Sequence, residues 1–127
     1  MTSMNTEEAK YLAINPNHPN AGIYSPAVVF GNVVYLSAKT SWIAPEPDDI
    51  RAATAYLLDQ VEKELLNAGS SMHKVLKVIV YLRDMNDYIA MNEVYTGRFG
   101  KNAPARTTIE SKLPKNSIVG FDVTAYL

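Results

Sequence analysis

Val75-Leu76-Lys77-Val78-Ile79-Val80-Tyr81-Leu82 is a nearly continuous run of β-branched and apolar residues. It is too short and too β-rich for a helix, so it predicts a central strand covered on at least one face by helices. Helical patterns flank it on both sides. Upstream, Asp48 and Asp49 stand where a helix takes its N-cap and first-turn acids. From Ile50 onward, Ala53, Leu57, Val61, Leu65 and Ala68 recur every three or four residues, with Tyr56 and Leu58 widening the stripe. Gly69 follows at the C′ position. Downstream, Arg83-Asp84-Met85-Asn86 is a connection, with Asn86 or Asp87 available as N-cap. Tyr88, Met91, Val94, Tyr95 and Phe99 then predict a second helix ending at Gly100.

The other strands lie further out. Ala105–Ser111 and Ile118–Tyr126 read as the last two, joined through Leu113-Pro114-Lys115-Asn116-Ser117. Ala27-Val28-Val29-Phe30 and Val33-Val34-Tyr35-Leu36-Ser37 flank Gly31-Asn32, which predicts an antiparallel hairpin. Lys10 to Asn15 forms a candidate first strand, residues 16–22 a turn, and residues 38–47 a loop with the only tryptophan, Trp42. Residues 1–9 are polar, acidic and expected to be loose, leaving 10–127 as one domain. The order of elements predicts an α+β fold, a sheet with two helices on one face.

Composition narrows the function classes. A chain of 127 residues, 47% hydrophobic and 20% charged, is of ordinary size and make-up for one soluble domain. A net charge of −1 gives no field to recruit nucleic acid or anionic membrane. Cysteine is absent, which removes thiolate nucleophiles and disulfides and agrees with a reducing compartment. With no spanning run and no signal pattern, a cytoplasmic location is expected. His18 and His73 share no metal-ligand spacing and cysteine is absent, so no metal site is expected.

What remains is Arg106, within Ala103-Pro104-Ala105-Arg106-Thr107-Thr108-Ile109-Glu110. A guanidinium inside a cleft needs an anionic partner, either a carboxylate of the protein or one on a ligand. Trp42 either covers a pocket or simply packs, and packing is the plainer reading.

Pro104-Ala105-Arg106-Thr107, with Leu113-Pro114-Lys115 and a final alternating strand, resembles the C-terminal signature of the YjgF/Rid family. Tyr24-Ser25-Pro26-Ala27, Val33-Val34-Tyr35-Leu36-Ser37, Leu66-Asn67-Ala68-Gly69-Ser70-Ser71 and the run from Leu82 to Tyr95 are similar to further family segments in the same order. The resemblance implies a chorismate-mutase-like fold, a homotrimer and ligand clefts between subunits. It implies hydrolytic deamination of 2-imino or 2-enamino acids, such as 2-aminoacrylate, without metal or organic cofactor. Arg106 is then expected to grip the substrate carboxylate. Tyr24, Ser37 and Asn92 are expected to line or support the cleft, and Tyr24 and Thr108 join Arg106 as the residues expected to carry the chemistry.

Two departures bear on that expectation. Where the family's active deaminases carry a glutamate on the last strand, this chain has Gly120, which deletes the acid and is expected to enlarge the cleft. Asp122 lies on the same face, about 6.6 Å away along a strand. Where the family has Ser-Gly-Gln, this chain has Ser37-Ala38-Lys39. Strand parity puts Lys39 on the side of Tyr35 and Ser37, so it either enters the cleft or reaches solvent. The alternative to an enzyme is a non-catalytic or repurposed trimer that binds a small carboxylate as sensor or pathway accessory.

Overall fold

The computed structural model describes residues 8–12 and 19–127. Strands β1 (Lys10–Tyr11), β2 (Ala27–Phe30), β3 (Val33–Leu36), β4 (Lys39–Thr40), β5 (Val75–Leu82), β6 (Ala105–Glu110) and β7 (Val119–Tyr126) form one mixed sheet, with helices α1 (Ile50–Asn67) and α2 (Tyr88–Tyr95). The order across the sheet is β1-β2-β3-β7-β5-β6, with β4 also paired to β7. Only β5 and β6 run parallel. No helix among the described residues is long and apolar enough to cross a membrane.

The hairpin forms as expected, with Phe30 opposite Val33 and a positive φ of 57° at Gly31. A positive φ at the first central position alone is the pattern of a type II′ turn, whose twist suits antiparallel strands. Helix α1 begins at Asp49, whose carboxylate accepts from the Ala52 N–H at 3.0 Å. It ends in a Schellman motif: Gly69 at φ +91° lets its own N–H reach the Leu66 carbonyl, and the Ser70 N–H reaches Leu65. The expected stripe is the buried face, with Ala53, Leu57, Leu58, Val61 and Leu65 at 0–1% exposure. Each large side chain buried there contributes about 1.5–3 kcal/mol.

Several expectations shift. The centre of the sheet is β7, while β5 lies between it and edge strand β6. The expected first strand is confined to Lys10–Tyr11, and Ala13–Asn15 lie outside the described residues, as do residues 1–7 of the expected loose segment. The loop after β3 contains β4 and a 3-10 turn at Ser41–Ile43. Helix α2 stops at Tyr95 because positive φ values at Gly97 and Gly100 turn the chain beyond it. Asp87 stands at the N-cap of α2, as expected, though without a side-chain hydrogen bond, and Asp84 caps the preceding 3-10 turn by accepting from the Asn86 N–H at 2.9 Å.

Alternation along the strands sorts the two faces. Val34, Val78, Val80, Leu82, Phe121, Val123 and Ala125 are buried toward the helices. The Tyr95 ring stacks on Phe121 at 6.3 Å, which places α2 on the same face as α1. Phe30, Tyr35, Ile109 and Tyr126 alternate to the opposite face and remain 40–51% exposed.

Candidate functional site

Arg106 enters from β6 onto the helix face, because its parallel partner Val78 faces the core. Its Nη1 donates to Asn92 Oδ1 at 2.7 Å, and its Nη2 donates to the Tyr88 hydroxyl at 3.0 Å. The guanidinium carbon lies 4.8 Å from the Tyr95 ring centroid and 5.4 Å from that of Tyr88. All these partners belong to α2 and all are neutral. Among the described residues no carboxylate forms an ion pair with Arg106. Two tyrosine rings therefore orient a cation whose charge is not neutralised. A cavity of about 290 Å³ opens there, lined by Asn92, Tyr95, Pro104 and Arg106 among others. Burial raises the Tyr95 phenol pKa, and the adjacent Arg106 opposes that shift. Thr108 sits two residues along β6 on the same face, half-buried.

Tyr24 and Ser37 lie elsewhere. They line a larger cavity of about 600 Å³ together with Thr40, Trp42, Tyr81 and Lys115. Ser37 donates to the Ser25 carbonyl at 2.5 Å, which ties the end of β3 to the segment preceding β2. Within one chain the expected site residues thus fall into two groups: Arg106, Asn92 and Thr108 on the edge strand and α2, and Tyr24 and Ser37 on the other side of the sheet centre.

Lys39 corrects the parity argument. From Tyr35 to Lys39 the chain advances four residues, while their partners on β7, Thr124 and Phe121, are three apart. One extra residue is absorbed at Ser37-Ala38, and strand parity inverts across it. Lys39 therefore faces α1, where its ammonium pairs with Glu64, both side chains being less than a third exposed. The pair borders a smaller cavity of about 270 Å³ that also touches Tyr24, Ser37 and Trp42.

Gly120 does not enlarge a cleft. It is buried opposite Thr40, and a Cβ added there would lie 3.0 Å from Thr40 Cγ2 and 3.2 Å from the Lys39 carbonyl oxygen. Its cross-strand neighbours Thr40 and Tyr81 both line the larger cavity, and Thr40 crowds the Gly120 position. Asp122 follows on the same face, half-buried, with its pKa raised by burial. Trp42 is 43% exposed at the cavity wall, so it borders a pocket rather than simply packing. Thr40 and Tyr81 were not legible as site residues, because they meet only where β4 and β5 pair with β7 on either side of Gly120.

Fold and site together define a small α+β protein with an arginine held by neutral partners on the edge strand and a separate cavity with aromatic walls. A family model described as endoribonuclease L-PSP matches residues 15–127. A RutC family protein of Pyrococcus abyssi is 38% identical over 111 residues, covering 83% of this chain and 87% of that one. The Rid family protein YyfA of Yersinia pestis superposes with a TM-score of 0.83 at 30% identity, covering 94% of this chain and 100% of that one. Yeast Mmf1 gives a TM-score of 0.83 at 27% identity, covering 94% and 98%. The chain belongs to the YjgF/YER057c/UK114 family.

Proposed function

We propose that the chain is a hydrolytic deaminase of reactive 2-imino or 2-enamino acids, acting in the cytoplasm in clefts between the copies of a homotrimer. The observation that carries this reading is Arg106, a positioned guanidinium with only neutral partners. Its fork suits the carboxylate of an imino acid, and that carboxylate holds the electrophilic carbon for attack by water. Water adds to the C=N carbon and the carbinolamine expels ammonia, leaving a 2-oxo acid. The hydroxyls of Tyr24 and Thr108 are assigned to orienting the water and the departing nitrogen, with Ser37 and Asn92 shaping the cleft. Assembly is supported by the uncovered aromatic sheet face, and it would let the Arg106 group of one copy meet the Tyr24 group of the next. Net charge −1 lends no support to RNA cleavage.

A second reading, a carboxylate-binding trimer without turnover, is favoured by Gly120. That position holds no acid, and Thr40 fills the room one would take. The deciding assay supplies 2-iminopropanoate from an amino-acid oxidase and lets semicarbazide compete for it. Suppression of semicarbazone by wild type but not by Arg106→Ala supports the enzyme. Inactive wild type alongside an active Gly120→Glu/Thr40→Ser double variant supports the binder. Light scattering that finds a monomer would remove the shared cleft from both.

A further inference from the structure

We propose that the cavity bounded by Trp42 and Lys115 is a subsite for a second acid group, so that the preferred substrate is the imine of a dicarboxylic amino acid. This deepens the deaminase reading and rests on it. In the single chain the cavity measures about 600 Å³. Tyr24, Trp42 and Tyr81 give it aromatic walls. Its charged lining residues are Lys112 and Lys115, and no aspartate or glutamate is among them. Neither lysine forms an ion pair with a described residue.

Lys115 is also held in place. Its Nζ stands 3.8 Å from the Trp42 ring centroid, which fixes the ammonium while leaving N–H donors for an anion. Lys115 and Asn116 adopt positive φ values of 52° and 58°. That conformation is unfavourable for residues with a Cβ and persists where the surroundings over-determine it. Here they do. Arg83 donates to the Ser117 carbonyl at 3.0 Å and the Leu113 carbonyl at 3.1 Å. The Trp42 N–H donates to Ser117 Oγ, and the Ile118 N–H to Ser41 Oγ, both at 2.9 Å. Ser41 and Ser117 are 0% and 1% exposed, so the tryptophan and lysine segments are fastened to each other through the core. An anion meeting Lys115 finds its partner already positioned, which lowers the ordering cost of binding.

The test uses the 2-oxo acids that such hydrolysis releases. Trp42, as the only tryptophan, makes intrinsic fluorescence a direct report on this cavity, and calorimetry gives the affinities. Wild type is expected to bind 2-oxoglutarate about tenfold more tightly than pyruvate, with a change in Trp42 emission. Lys115→Met is expected to erase that preference while leaving pyruvate affinity unchanged, and Lys112→Met to reduce it. Equal affinity for the two acids, or a preference that survives both lysine substitutions, overturns the subsite. Assays on the imines of glutamate and alanine separate the two claims. Turnover of both imines without preference defeats the subsite and keeps the deaminase. Turnover of neither, with the lysine-dependent binding preference intact, defeats the deaminase and keeps the cavity as a dicarboxylate site.

Discussion

Arg106 donates from Nη1 to Asn92 Oδ1 across 2.7 Å, and that bond ties edge strand β6 to helix α2. The amide is a neutral acceptor, so it orients the guanidinium without cancelling its charge. Asn92→Ala is expected to lower kcat/KM about tenfold, the worth of one hydrogen bond to a charged group, mainly through KM. Asn92→Asp is expected to be worse, since the new carboxylate would compete with the substrate for Arg106. Steady-state kinetics on both variants check the order, and a milder Asp variant would remove the anion-cradle reading.

The Lys39–Glu64 pair joins β4 to α1 with both side chains mostly buried, and Glu64 Oε1 finds no hydrogen-bond partner among the described residues. Lys39→Gln leaves that carboxylate without its counter-ion and is expected to cost about 2 kcal/mol. A Lys39→Met/Glu64→Met double variant is expected to cost less than either single change, because it leaves no buried charge behind. Urea unfolding of the set measures this, and strict additivity would mean the pair contributes nothing.

Periodicity and β-branching placed nearly every element, because burial of one helix face and one sheet face is a local pattern. Leu57, Val61 and Leu65 could be assigned from spacing alone, and Gly31 and Gly69 marked their turns. Lys39 could not be placed, because parity fails wherever a bulge adds one residue, and Ser37-Ala38 carries no signal for one. Trp42 and Lys115 stand far apart in sequence, and their segments are joined where Ser117 Oγ accepts from the Trp42 backbone N–H and Ser41 Oγ from that of Ile118. Arg106 was singled out by type and motif, while its neutral partners Tyr88 and Tyr95 emerge only once α2 packs over β6.

Gly120 faces Thr40 closely, and an added Cβ would lie 3.0 Å from Thr40 Cγ2 and 3.2 Å from a backbone oxygen, so a side chain there fits only if β4 gives way. Gly120→Ala is expected to destabilise the fold by about 1–3 kcal/mol through overpacking. Thr40→Ser removes the nearer atom, so the double variant should recover part of that loss, while the Lys39 carbonyl retains the rest. Thermal melts of the three variants test this. A Gly120→Ala protein as stable as wild type would show that β4 yields easily, and Gly120→Glu could then be used without the serine.

Asp122 sits half-buried on the sheet face away from the helices, and burial raises its pKa above the ordinary 3.8. A carboxyl with a raised folded-state pKa binds its proton more tightly in the fold than in the unfolded chain. Between the ordinary value and the raised one, stability therefore falls as pH rises, and above both values the buried charge is a constant cost. Asp122→Asn is expected to be more stable than wild type at neutral pH. The gap should close as pH drops through the raised value toward 3.8, where wild type is neutral too. Melting temperatures of both proteins from pH 3 to pH 8 trace the difference. A gap that widens on acidification would mean that the charged form gains a partner in the folded protein, such as a cation from a neighbouring copy across the open sheet face.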